Sequence, residues 1–360
     1  MSRTPLQPRS ESAAPPKRAR SVMGRLSALQ GRSSRAHNVV VLLLFVLLAA
    51  LPAVSDSRSL FILLTQVFIL AVFAMSYDLL LGFTGIVSFG HAMFFGLGAY
   101  STGLFLSRFE ATLPMLLLSV IAGMALAAAL SYLVGVLSLR LKSHFYAMLT
   151  LAFAGLLLVA AEKWRSLTKG SDGFTFAIPE PLKDRATLYL VCLCTLAAVY
   201  VALRRFTRSP LGSVLQAIRE NEQRTESLGY RIVPYKIAAS VVAGAAASIS
   251  GSLYVLTLRF VNTTVFSMDM TLNALLMTII GGVGTLYGAV IGAAVIEWAH
   301  QLLTDLAGVH PIFERWIIFF GLLYIVVVLV FPSGIAGTCA SWLSSMRRRR
   351  QPEDPEEERP

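Results

Sequence analysis

The chain has 360 residues, 56% of them hydrophobic and 14% charged, with a mean hydropathy of +0.68. That balance excludes an ordinary soluble domain and places the chain among polytopic membrane proteins, with the lipid bilayer as its surroundings. The net charge of +11 does not point to nucleic acid, because the basic residues gather in two tails, a central loop and a short turn, as topology charges do.

Residues 1–36 are rich in Pro, Ser and Arg and carry eight basic residues against the single acid Glu11. Such a stretch buries no core and reads as a disordered cytoplasmic tail. With the apolar run Val39–Leu51 it has the outline of a signal peptide, but the basic part is much longer than an n-region, which favours an uncleaved anchor. Residues 37–336 read as the transmembrane domain and 337–360 as a charged cytoplasmic tail. Apolar segments lie near 38–54, 60–81, 88–107, 113–139, 145–161, 187–204, 235–258, 271–283, 285–303 and 313–331. The two around Gly281–Gly284 run together, as a broken pair or as one long span and a short one. The expected fold is all-α with about ten transmembrane helices, eight or nine being the alternatives.

Charge distribution orients these spans. With the N-terminus cytoplasmic, the inside pieces are 1–36, the loop Gly82–Ser88, Arg140–His144, the loop Arg204–Lys236 and the C-terminal tail. They hold eight, none, two, seven and five basic residues, or 22 of the 31 Lys and Arg. The asymmetry obeys the positive-inside rule and puts both termini and the central loop in the cytoplasm.

Two regions are rich in small residues. The first runs from Gly82 and Gly85 through Gly90 and His91 to Gly103; glycines inside its apolar run suggest a broken or re-entrant helix lining a cavity. The second holds Gly281, Gly282, Gly284 and Gly288, with Gly292 beyond. Gly284, Gly288 and Gly292 recur every four residues and form a smooth face for close helix approach. Packing alone accounts equally well for both regions. Outside the membrane, the segment 162–186 contains Lys169-Gly-Ser-Asp172-Gly173, a tight turn serving as a partner surface or as a connector.

Asp78, His91, Glu162, Glu297 and His300 lie in or at the ends of apolar segments, where ionisable groups are costly and so suspect for function. Asp78 and His91 bracket the first glycine-rich turn, either tying it or touching a substrate. Glu297 and His300 are three apart on one helix face, close enough to pair, and taken as a proton relay they would support a secondary transporter. Neither a metal-ligand spacing nor a nucleophile–base pair is visible, and Cys192, Cys194 and Cys339 show no pairing pattern. No GxxxxGK[ST] loop occurs, so any nucleotide that drives this protein is bound by another chain.

The stretch Thr207–Ile232 is the one long polar helical pattern between the tails. Ser209 is placed to N-cap it, Pro210 to open it and Gly229 to end it. Leu211, Val214, Leu215 and Ile218 share a face, while Arg219, Glu220, Glu222 and Arg224 are polar. An amphipathic cytoplasmic helix between apolar segments invites a soluble partner.

Several blocks, in order, resemble the permeases of branched-chain amino acid ABC importers, in particular their LivM-like branch. They are Tyr77–Tyr100, Leu139–Phe153, Leu167–Gly173, Ser209-Pro-Leu-Gly212 with Ala217–Glu222, Gly281–Gly288, and Phe331-Pro-Ser-Gly-Ile335. One departure is Ser213-Val214 after Gly212, where the family usually has a basic residue. The resemblance implies a permease paired with a homologous second permease, two cytoplasmic ATPase subunits below and a periplasmic binding protein above, in a bacterial inner membrane. It implies no cofactor on this chain, ATP and Mg residing on the ATPases, and no enzymatic activity of its own. Residues 207–232 would be the coupling helix. Ser209, Pro210, Leu211, Gly212, Leu215 and Ile218 would meet an ATPase cleft, and Arg219, Glu220 and Glu222 would form its polar rim. Urea or a short amide as substrate, and a stand-alone proton-coupled transporter, are the competing readings.

Overall fold

The computed structural model describes residues 43–52, 57–138, 143–307, 321, 325, 329 and 334–338. The tail 1–36, most of 337–360, Leu139–Lys142 and nearly all of the tenth apolar segment lie outside the described residues. The chain divides at Asp56. The first unit holds helix α1 (Leu43–Pro52). In the second, from Ser57 onward, the helices are α2 (Arg58–Thr84), α3 (Ala92–Arg108), α4 (Leu113–Ser138), α5 (Ser143–Lys163), α6 (Arg165–Thr168) and α7 (Arg185–Thr207). They continue as α8 (Pro210–Glu220), α9 (Glu222–Ser227), α10 (Ile232–Leu258), α11 (Met268–Gly281) and α12 (Leu286–Ala307).

Helix α2 is the centre. It is apolar on every side, the pattern of a helix with no solvent face, and Val67–Leu80 is an unbroken buried run. Helices α7, α10, α11 and α12 pack on it, and α3 and α4 pack on α10. The approach of α4 to the core is made by small side chains. Ser119, Gly123, Ala127 and Ser131 recur every four residues, with Ser138 seven further on, and all are buried, while Leu117, Ile121, Tyr132 and Leu133 face outward. Small residues let backbones come close enough for hydroxyls to bridge them. Ser131 and Ser240 sit 2.8 Å apart across α4 and α10, and Ser250 of α10 donates to the Ile69 carbonyl of α2 at 2.7 Å.

Nine of the ten apolar segments contain described helices, but only six helices among the described residues are long and apolar enough to cross a membrane: α2, α4, α5, α7, α10 and α12. The expectation of about ten spans is thus not confirmed among the described residues. At ~1.5 Å per residue, α3 with 17 residues and α11 with 14 reach roughly 25 and 21 Å, short of a ~30 Å hydrocarbon layer. Both shortfalls come from glycine-rich breaks. The segment between α2 and α3 is non-helical yet mostly buried, as the first glycine-rich region predicts, and α11 and α12 form the broken pair.

The segment 162–186 is more than a connector. Gly170 and Gly173 take φ of +69° and +66°, and the following β1 (Phe174–Thr175) pairs antiparallel with β2 (Phe260–Val261), the stretch after α10. Phe266 beyond it stacks on Tyr100 of α3 at 5.3 Å. At the next helix start, the Asp184 carboxylate caps α7 by accepting from the Thr187 hydroxyl and N–H, bonds that hold it below the usual carboxylate range.

Candidate functional site

Ser209 caps α8 as its sequence predicts: its Oγ accepts from the Gly212 N–H at 3.3 Å, and Pro210 takes the first helical position. The pattern then departs from one continuous helix to Gly229. Asn221 adopts an extended backbone (φ −158°, ψ 103°), and its Oδ1 accepts from the Arg224 N–H at 2.9 Å, so it ends α8 and caps α9. An Asx side chain that satisfies an orphan N–H offers the backbone a stable alternative to continuing the helix.

The break divides the apolar face. Gly212, Leu215 and Ile218 turn inward, with Leu215 only 1% and Ile218 3% exposed, and α8 packs on α2, α7 and α10. Leu211 and Val214 lie on another face. With Ala217, Leu228, Tyr230 and Tyr235 they line an open groove of about 620 Å³, floored by α8 and walled by α9 and the start of α10. Leu228 is 71% exposed, and the Tyr230 and Tyr235 rings meet edge-on at 6.1 Å. Periodicity does not point to Leu228, Tyr230 or Tyr235. The Leu228-Gly229-Tyr230 run after the helix, apolar yet placed in a polar loop, was the signal for them.

The polar residues also divide. Glu220 is exposed. Glu222 accepts from Lys236 at 2.9 Å and so ties α9 to α10. Arg219 turns back toward the bundle, where its Nη1 donates to the Gly82 carbonyl.

That bond leads to the two glycine regions, which the fold brings together. Gly85 ends α2 in the left-handed conformation (φ +71°), and both its N–H and that of Ile86 return to the Leu80 carbonyl. Two turns earlier, Asp78 Oδ1 accepts from the Gly284 N–H at 2.7 Å, and a Cβ on Gly82 would run into that carboxylate and lie 2.6 Å from the Gly284 Cα. Gly281 and Gly288 face each other across the α11–α12 hairpin. Gly282 sits against Gly334, the only part of the Phe331–Ile335 block within the described residues besides Ile335.

Asp78 and His91, which bracket the first turn in sequence, do not meet. Asp78 ties α2 to the 282–285 turn. His91 is fully buried beneath it, with Nε2 2.9 Å from Ser76 Oγ and the rings of Phe73, Tyr77 and Phe94 at 5.4–5.6 Å. Gly90 lies against the Thr150 carbonyl of α5. Asp78 Oδ2, Ser88 Oγ and His91 Nδ1 are buried without a protein partner. Glu297 is buried on α12, and Glu162 is exposed at the end of α5. Among the described residues no group of three His, Cys, Asp or Glu is placed to hold a metal ion.

The family model described as "Branched-chain amino acid transport system / permease component" matches residues 59–329, well over half of the chain. The chain belongs to that family. This permease is similar to the high-affinity branched-chain amino acid transport system permease protein LivM of Escherichia coli K12, at 26% identity over 313 residues, spanning 78% of the chain and 71% of the relative. The protein of the same name from Salmonella typhimurium LT2 is 25% identical with the same coverage. A probable branched-chain amino acid transport permease protein LivM from Methanocaldococcus jannaschii is 24% identical over 310 residues, spanning 73% and 89%. No solved structure matches. The permease is therefore a multi-pass membrane transport subunit, one component of an ABC transport system.

Proposed function

We propose that this permease forms half of the pore of an ATP-driven importer for branched-chain or related amino acids, lying in a bacterial inner membrane with both termini cytoplasmic. A homologous second permease completes the pore. A periplasmic binding protein delivers the amino acid, and two cytoplasmic ATPase subunits hold the ATP and Mg. The observation that carries the reading is the exposed apolar groove along α8, on the loop that the charge distribution assigns to the cytoplasm. A groove rimmed by Leu228 and Tyr230 is unfavourable in water and suited to an apolar ridge of a soluble subunit.

In this reading ATP-driven closure of the ATPases displaces α8. The helices on either side, α7 and α10, carry the displacement into the bundle and switch access, as a rigid-body transition biased from both faces of the membrane. Serines and glycines at the α4–α10 contact suit such sliding, since they offer few interlocking side chains. The test is reconstitution in vesicles with the ATPases, second permease and binding protein. Uptake is expected to need ATP and to stop when the ATPases carry a hydrolysis-blocking substitution. Uptake that persists without ATP and collapses with the proton gradient would overturn the reading.

A further inference from the structure

Arg219 lies where three separate parts of the chain converge. Its aliphatic stem rests on Gly85, where a Cβ would come within 3.3 Å of Arg219 Cγ. Its Nη1 donates to the carbonyl of Gly82 and would lie 2.8 Å from a Cβ on Gly284. The Gly82 carbonyl belongs to the last turn of α2, where helix carbonyls have no N–H ahead of them; here the N–H groups of Gly85 and Ile86 are both taken by Leu80. Gly82 therefore depends on a side chain from outside its helix, and α8 supplies it. On the other side of the contact, Asp78 Oδ1 holds the Gly284 N–H at 2.7 Å, while Oδ2 is buried with no partner. The absence of side chains at Gly82 and Gly284 is what lets guanidinium, carboxylate and two backbones occupy one place.

We propose that Arg219 is a strut, a positioning residue that transmits displacement of α8 to the end of α2 and to the α11–α12 turn. On this view it is no part of the contact with the ATPase, although it stands beside that surface. The inference rests on the proposed importer mechanism and adds the route by which motion leaves the coupling segment. Displacing α8 moves the Gly82 carbonyl through Arg219, and the bond between Asp78 and Gly284 makes the 282–285 turn follow. The two glycine-rich breaks are the joints at which short helices α3 and α11 can tilt without unfolding. A planar guanidinium packs flat between Gly85 and Gly284 while donating to the Gly82 carbonyl, whereas lysine, a single rotatable ammonium, keeps the charge but not that shape.

The test uses the complete reconstituted complex with Arg219→Gln and Arg219→Lys. Both variants are expected to assemble with the ATPases and to hydrolyse ATP at a basal rate within about twofold of the unaltered complex. Amino acid uptake per ATP should fall at least tenfold in Arg219→Gln and by an intermediate factor in Arg219→Lys. Hydrogen exchange adds a readout that a merely structural role would not move. In the unaltered complex, trapping the ATPases closed should change exchange in 210–220, 82–91 and 281–288 together. In Arg219→Gln the change should persist in 210–220 and vanish from the other two. Loss of ATPase assembly in the variants would assign Arg219 to the partner contact, and unchanged uptake per ATP would remove the strut; either result overturns the proposal. If Arg219→Gln does not fold, the same measurements on Arg219→Lys decide. An unaltered chain that recruits no ATPase would instead overturn the importer reading itself.

Discussion

Two variants, altered on neighbouring faces of the coupling segment, separate its fold from its docking. Leu215 is 1% exposed on α8, so replacing it with alanine removes a fully buried branched side chain. The transfer term alone is about 1.5–3 kcal/mol for such a residue, and the space left behind raises the cost to roughly 2–5 kcal/mol. Leu228 is 71% exposed, so under a third of its transfer term is at stake within the chain, less than about 1 kcal/mol. With Tyr230 it lines the groove, and a paired Leu228→Ala, Tyr230→Ala change removes an anchor of the kind worth at least ~2 kcal/mol at an interface. That corresponds to about a thirtyfold weaker association. Thermal denaturation of the detergent-solubilised permease, alongside titration with purified ATPase, reads both quantities. Leu215→Ala is expected to lower the denaturation temperature, and the paired variant to lower it less, through the part of Tyr230 that packs on Tyr235, while weakening ATPase binding. A Leu215→Ala protein of normal stability that no longer binds the ATPase would refute the division into inward and outward faces. So would a paired variant that binds normally.

Three further outcomes are expected. Gly288→Leu forces a branched side chain onto the Gly281 backbone, and should open the α11–α12 hairpin, costing several kcal/mol by overpacking; the check is whether full-length protein still accumulates in the membrane. Glu222→Ala leaves the largely buried Lys236 without its carboxylate and should cost about 1–2 kcal/mol, with a double-mutant cycle against Lys236→Met returning most of it as coupling. Gly173→Ala puts a Cβ against the Val261 carbonyl at a positive φ. It should loosen the β1–β2 pairing, seen as faster proteolysis within 162–186 while ATPase binding is unaffected.

Which parts of this architecture can be read from the chain follows from what each signal encodes. Ser209-Pro210 announces a helix start by local chemistry alone, and the start is where it should be. Asn221 carries an equally local signal between Glu220 and Glu222, but the helical periodicity on both sides masks it. Periodicity tells that Leu211, Val214, Leu215 and Ile218 are apolar on one side; it does not tell what covers them. The bundle and a soluble partner both select leucine, so the inward turn of Leu215 is set by the tertiary packing of α8 and has no local signature. Hydropathy likewise measured how long each apolar run is, not where its hydrogen-bonding begins. Residues 88–91 count toward a span by composition and stay outside α3 in fact. Hardest of all was Asp78, whose partner 206 residues away is a backbone N–H at a glycine, a group with no signature in the letter code.

That separation bears on how the molecule is made. Helix α2 is synthesised before any of the four helices that finally enclose it, and the Gly284 N–H that donates to Asp78 appears 206 residues after it. Until then Asp78 lacks the N–H from which it accepts in the finished bundle, and hydrocarbon does not solvate a carboxyl group. Membrane insertion of this chain is thus not a sequence of independent steps. The segment that becomes its core has to be shielded, by the insertion machinery or by provisional neighbours, for most of the time the ribosome needs to complete it.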